Sequence, residues 1–319
     1  MIAILYEHPE WLELLFAELE RRGLPFERLP AENLMFDPGS DRLPDLVVNR
    51  MSPSAYKRGH GNGIFTVKDY LVHLEERGVP VVNGSQAYAV ETSKARQLDL
   101  FRRLGVGYPR ARVINHPSRA VEAARGLQFP VVVKPNIGGS GAGIVRFETI
   151  HELAAAELHL GIDQTALVQE FLPAREGAIV RVEVLDGDSL YAIKIFPDFS
   201  SFNLCPADIC QVEAPAPDYG VCPAEAPQKK RLRIERVDPP REALEAALCL
   251  ARAAHLDVGG IEYLVNDRNG QICFYDINAL SNFVTDAINV VGFDPTARFV
   301  DYLERRLAAA GHASGLPVP

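Results

Sequence analysis

Apolar and polar positions alternate between two periods along the first quarter of the chain. Ile2 to Tyr6 is a wholly apolar run of strand length. Pro9 to Arg22 changes to helical spacing and stops at Gly23. Residues 25–29 (PFERL), 45–50 (DLVVNR) and 79–83 (VPVVN) read as further strands, with a helix near Val67 to Arg77 and Gly78 as its C-cap. Strand–helix alternation of this kind predicts an open α/β sheet whose ligands gather at the C-terminal ends of the strands. Arg50 sits at such an end, either as a contact for a substrate carboxylate or as a solvated arginine.

The middle of the chain holds an amphipathic helix, residues 92–101 (TSKARQLDLF), in which Lys94 would ordinarily face solvent, and then a strand at 109–114 (PRARVI). Residues 130–143 read PVVVKPNIGGSGAG. An apolar strand delivers Lys134 and leads into Gly138, Gly139, Ser140, Gly141 and Gly143, and a β-branched segment, Ile144 to Phe147, follows. Glycines let a backbone approach a ligand and aim successive N–H groups at it, as a polyphosphate requires. The lysine precedes the glycines, so this is not the P-loop order, and the strand after the loop excludes the dinucleotide fingerprint. The segment reads as a hairpin flap over phosphates, although Gly-rich hairpins also occur without ligands.

Two strands at 178–187 and 188–196, a helix from Arg241 to His255 and a C-terminal helix surround a second hairpin at 259–278 (GGIEYLVNDRNGQICFYDIN). A three-residue loop, Arg268 to Gly270 with Gly270 left-handed, would pair Asp267 with Gln271 and set Glu262 opposite Asp276. Asn278 then shares their face. Opposed carboxylates repel unless one is protonated or a cation lies between them, and oxygen-only donors suit Mg²⁺. A solvated polar face is the alternative.

Lys134 with its flap, followed about 130 residues later by this cluster, resembles the ATP-grasp superfamily and more closely its RimK-type, glutathione-synthetase-like carboxylate–amine ligases. The order of LVVNRMSP (46–53), GVPVVNGSQA (78–87), the Lys94 helix, the flap, LVQEFLPAREGAIVR (167–181) and YDIN (275–278) carries the likeness over most of the chain. It implies an α/β (α+β) three-domain ATP-grasp fold. Residues 1–86 would form a Rossmann-like pre-ATP-grasp domain, 87–168 a central subdomain with the flap, and 169–319 a C-terminal subdomain with the metal site.

It also implies ATP with two Mg²⁺, or Mn²⁺, held by Glu262, Asp276 and Asn278. Lys94 and Lys134 would take the α/β-phosphates and Arg181 the γ-phosphate as the catalytic cation. Adenine would meet the linker, Gln169, Glu170, Phe171 and Leu172, and Lys194, Asn203 and Tyr275 would complete the nucleotide site. Substrate contacts fall to Arg50, Ser281 and Asn282. The implied activity is amide formation between a small-molecule or peptide carboxylate and an amine, through an acyl phosphate, in the cytoplasm and as a homodimer. An ATP-grasp phosphotransferase and a low-turnover nucleotide-binding module are the rival readings.

Departures from the family pattern mark the substrate side. Ile179 replaces the acidic residue that usually holds the ribose, with Glu176 a substitute; Asp276 replaces a glutamate. Ala279 to Asn282 replaces Ser-Pro-Gly, and Asn203-Leu204-Cys205-Pro206 lacks the arginine of Asn-x-x-Arg-Gly-Gly. A formal charge of −9 disfavours nucleic acid and anionic membrane as partners, and no apolar run reaches a membrane span. The start of the chain has no cleavage-type segment, so no secretion is expected. Five cysteines do not suit a disulfide framework, and the Cys205, Cys210 and Cys222 gaps fit no zinc pattern. Eight of the 23 prolines lie between Pro197 and Pro240, counting both ends, which argues against a regular helix or central strand over much of that stretch. The run KKRLRIER (229–236) reads as a solvated face or a cationic lid.

Overall fold

The computed structural model describes residues 1–139, 141–196 and 232–313. Three sheets carry the architecture. The first is parallel, in the order β2-β1-β3-β4, from β1 (Ile2–Tyr6), β2 (Phe26–Pro30), β3 (Leu46–Arg50) and β4 (Val81–Val82). Its helices are α1 (Glu13–Arg21) and α2 (Gly61–Glu76). Helix α2 starts six residues before the expected Val67, because its glycines serve packing and do not break it. A Cβ on Gly61 would lie 2.5 Å from Ile162 Cδ1, and one on Gly63 3.2 Å from the Ala31 carbonyl oxygen.

Next come α3 (Ser85–Glu91) and α4 (Lys94–Arg103), the latter capped by Ser93, whose Oγ accepts from the Arg96 N–H. The second sheet, order β5-β8-β6-β7, is antiparallel: β5 (Ala111–Ile114), β6 (Val131–Pro135), β7 (Val145–Phe147) and β8 (Ala166–Glu170). It buries one face against α5 (Ala120–Ala124) and α6 (Ile150–Ala155).

The third sheet runs β11-β10-β9-β12-β13: β9 (Ile179–Leu185), β10 (Asp188–Phe196), β11 (Arg233–Arg236), β12 (Val258–Val265) and β13 (Ile272–Asn278). Helix α7 (Arg241–Ala253) packs on it together with α3 and α4, since Ala87, Leu100 and Phe101 share a core with Val182, Ile261 and Phe274. The Lys94 helix therefore rests on the C-terminal sheet and not on the sheet that follows it in sequence. Residues 233–236 lie in the proline-rich stretch where a regular helix or central strand is not expected, and they form neither. They form a short, largely exposed edge strand, Ile234 opposite Ile195, whose charged side chains suit an edge.

Helices α8 (Ala287–Val291) and α9 (Pro295–Ala313) follow. Helix α9 joins the first and third sheets: Phe299, Val300 and Leu303 pack with Ile2 and Val48 on one side and Val258 on the other. Asn83 tightens the same junction. Its side-chain amide donates to the carbonyls of Val258 and Ala279, both at 2.7 Å, and its Oδ1 accepts from the Asp257 N–H at 2.9 Å. Among the described residues no helix is long and apolar enough to cross a membrane.

Candidate active site

Adjacent strands of the third sheet set six residues in two facing rows. Arg181 on β9 pairs with Glu262 on β12, which pairs with Asp276 on β13; two residues on, Glu183 pairs with Gly260, which pairs with Asn278. Period-two alternation sends these side chains to one face. Arg181 Nη1 donates to Glu262 Oε1 at 2.8 Å and its Nε donates to Glu183; Asn278 Nδ2 donates to the same Glu262 oxygen at 3.3 Å. Burial raises the Glu262 pKa, and Asp276 raises it further, against the opposing pull of Arg181.

Glu262 faces Asp276 as the sequence predicts, by a different route. The turn pairs Asn266 with Gln271 and leaves a four-residue loop, with Gly270 left-handed (φ 76°). That shifts the register by one, and a bulge at Tyr275 shifts it back before Asp276. Tyr275 is half-buried, and desolvation of its hydroxyl, reinforced by the Glu262 charge, pushes its phenol well above the ordinary value.

Lys94 begins α4 and turns inward, which overturns the expectation of a solvated lysine. Its Nζ donates to Asp276 Oδ1 at 2.7 Å. Burial opposes the Lys94 charge, but Asp276 outweighs it and holds the pKa above that of ordinary lysine. Three residues missed by sequence reasoning fix this helix end. Gln97 bonds both the N–H and the C=O of Ile277, between the two outer metal-type residues. Glu91 accepts from the Ala279 N–H; burial raises its pKa to about 7. Asn136, two residues beyond Lys134, accepts from the Ala95 N–H at 2.9 Å and so ties the first turn of α4 to the segment just after β6. Polar residues within three positions of motif residues were the only signal for them.

Lys134 enters from β6, 6% exposed, and no carboxylate pairs with it among the described residues. Burial, reinforced by the Lys94 charge, brings its pKa down to about 7. β6 and β7 pair antiparallel, so the flap is a hairpin as expected. Gly138 and Gly139 border the cavity near Tyr56, Pro53 and Ser54 of the first domain. Gly143 needs glycine for its shape: its φ is 72°, and a Cβ there would meet Pro135 at 2.8 Å.

All of this surrounds one cavity of about 830 Å³, a size suited to a nucleotide with room beyond it. Lys94, Lys134, Arg181, Glu262, Asp276 and Asn278 line it. The linker residues Gln169 to Leu172 form another wall, where the Arg146 guanidinium stacks 4.3 Å from the centre of the Phe171 ring. Trp11, Ser52 and Ser54, at the C-terminal ends of β1 and β3, line the far end. Two carboxylates and one amide on neighbouring strands, facing buried cations, fit a hard divalent ion shared with phosphate. Among the described residues no group of three or more His, Cys, Asp or Glu gathers as a metal site.

Other expected positions are placed differently. Arg50 is buried and is not among the residues that line the cavity; it bonds the Ser281 carbonyl and, at 3.3 Å, Asn282 Oδ1, and Asn282 itself lies at the wall. Glu176 and Lys194 pair with each other and are not among the residues that line the cavity. Ser140, Asn203, the cysteines at 205, 210 and 222, and Lys229 to Arg231 lie outside the described residues. Cys249 and Cys273 are free thiols.

Residues 91–202 match the family model of the RimK-like ATP-grasp domain. A probable alpha-L-glutamate ligase of Teredinibacter turnerae is 36% identical over 123 residues, 38% of this chain and 41% of the length of that relative. A D-alanine–D-alanine ligase of Geobacter sulfurreducens is 26% identical over 287 residues, 86% of this chain and 82% of the relative. The ATP-grasp ligase PsnB, solved with a minimal precursor, Mg and ADP, superposes with a TM-score of 0.62 at 19% identity over 96% of this chain and 97% of that one. Residues 91–202 thus carry a match to the RimK-like ATP-grasp domain, and the described part of the chain has the ATP-grasp fold.

Proposed function

We propose that the chain is an ATP-dependent ligase that joins a carboxylate to an amine through an acyl phosphate, releasing ADP and phosphate. The observation that carries this reading is the convergence of Lys94, Lys134 and Arg181 with Glu262, Asp276 and Asn278 on one cavity walled by the linker and the flap. A carboxylate and a triphosphate repel each other, so bringing them together requires this density of cations. The names of the relatives, a glutamate ligase, a D-alanine ligase and a ligase acting with a precursor, support an amino acid or peptide as substrate.

In this reading Lys94 and Lys134 hold the α- and β-phosphates and Arg181 faces the γ-phosphate as charge develops there. Catalysis is then mainly positioning and electrostatic stabilisation. Glu262, Asp276 and Asn278 would hold Mg²⁺, which when bound neutralises the β- and γ-phosphate oxygens. The linker backbone at Glu170 to Leu172 meets the base, and the Phe171 ring offers it a stacking face. The flap excludes water that would hydrolyse the acyl phosphate. No protein nucleophile is needed.

The test is a panel of amino acids, small carboxylates and short peptides, in pairs, with ATP and Mg²⁺. The ligase reading expects ADP and phosphate in equal amounts together with a product lighter than its two precursors by one water. ADP without free phosphate, with a phosphorylated product, would identify a phosphotransferase. No turnover with any pair, despite nucleotide binding, would favour a binding module.

A further inference from the structure

Glu183 is a carboxylate in the site that the ligase reading does not use. It is fully buried on β9, one oxygen accepts from Arg181 Nε, and the other is buried with no hydrogen-bond partner among the described residues. A buried carboxylate with an unsatisfied oxygen is costly and needs a reason. Across the ladder stands Gly260, and a Cβ there would lie 2.2 Å from the Arg181 guanidinium. The glycine leaves a slot through which the arginine lies flat along the sheet, with Glu183 gripping one edge and Glu262 the other.

We infer that Glu183 is the positioning residue for Arg181, and that its hold on Nε limits how tightly Arg181 binds Glu262 and so sets the concentration of divalent cation the site requires. The inference rests on the ligase reading, because it takes Glu262 as a ligand of that cation. Without Glu183, Arg181 can turn one whole edge of its guanidinium, Nη1 with Nη2 or Nε with Nη2, onto Glu262, forming the bidentate pair that guanidinium and carboxylate favour. The cation must then displace a stronger partner. Among the described residues Glu183 bonds Arg181 and is not part of the cavity lining, so the effect passes through the arginine.

The test measures binding of a non-hydrolysable ATP analogue by calorimetry across a Mg²⁺ titration. The proteins are wild type, Glu183→Ala, Glu183→Gln and Glu183→Asp, each with its melting temperature. Glu183→Ala is expected to need roughly 10-fold more Mg²⁺ for half-maximal binding, the scale of one hydrogen bond to a charged group. Glu183→Asp, which keeps the charge but loses the reach, should shift alike, whereas Glu183→Gln, which keeps an acceptor at the right length, should stay within about 3-fold. A lower melting temperature with an unchanged Mg²⁺ requirement in Ala and Asp would overturn the inference and leave Glu183 a structural group. Should Ala fail to fold, Asp and Gln decide the matter on the same terms. Wild-type protein that does not bind the analogue with Mg²⁺ would instead overturn the ligase reading.

Discussion

Lys94 and Asp276 lie 182 residues apart in the chain and 2.7 Å apart in the fold. With Arg181 and Glu262 they make a second cation–carboxylate pair of the same kind, so the groups that would hold phosphate and those that would hold metal neutralise each other. Breaking one such buried pair strands a charge, while exchanging both partners at once does not. Nucleotide and Mg²⁺ should therefore bind interdependently. Calorimetry should find ATP at least about 10-fold weaker in chelator than with Mg²⁺, as expected from losing a charge-assisted contact. Equal affinities would show that the resting pairs are not exchanged.

Asp276→Asn and Asn278→Ala should each abolish Mg²⁺-dependent turnover while the far-ultraviolet circular dichroism stays that of wild type. Both positions share the ladder face of Glu262. Near-normal rates at ordinary Mg²⁺ in either folded variant would remove that residue from the metal site.

Lys134→Ala should weaken ATP by about 10- to 150-fold, the 1.5–3 kcal/mol of a charge-assisted hydrogen bond. The same lysine predicts a proton effect. Its pKa is about 7 in the free site, because burial and the Lys94 charge disfavour its protonated form. Bound phosphate favours that form and raises the pKa, so at pH 7.5–8 a partly neutral lysine becomes charged on binding. ATP binding there should take up protons, seen as a calorimetric enthalpy that varies with the ionisation enthalpy of the buffer. The uptake should fade below about pH 6, where Lys134 is already charged, and should be absent in Lys134→Ala. Buffer-independent enthalpy in the wild type would contradict this.

How far the site could be read from sequence depended on the signal each residue leaves. Glu262, Asp276 and Asn278 were found by counting along a hairpin, and the count succeeded because a four-residue loop and the bulge at Tyr275 cancel. Neither deviation has a residue signature. Lys94 looked solvated from helical spacing, because periodicity cannot see that α4 begins at Lys94 and abuts β13. Arg50 sat at the expected strand end, yet the chain returning at 281–282 covers it, and only tertiary structure shows that. Glu183 was invisible because a glutamate in an alternating strand reads as a solvent-facing position. Gly61 and Gly63 concealed the first turns of α2 because a glycine that permits close packing looks like one that ends a helix.

Asn83 predicts a stability effect separate from the chemistry. It holds the first sheet to β12 and to the residue after Asn278 through its side chain, at a φ of 54° that asparagine tolerates better than most residues. At roughly 1 kcal/mol net per bond, Asn83→Ala should lose about 2–4 kcal/mol in denaturant unfolding. A loss under about 0.5 kcal/mol would show that α9 and the shared core, not Asn83, hold the two sheets together.

In the proposed reaction the cavity activates a carboxylate by phosphorylating it. Once the panel identifies a substrate, its carboxylate can be labelled with ¹⁸O and the released phosphate analysed by mass spectrometry or ³¹P NMR. Phosphoryl transfer to the carboxylate followed by attack of the amine leaves one labelled oxygen on phosphate, because the C–O bond of the acyl phosphate is the one that breaks. The account predicts one ¹⁸O in each phosphate released during amide formation. Unlabelled phosphate would mean that ATP is hydrolysed by water without activating the acid, and would contradict it.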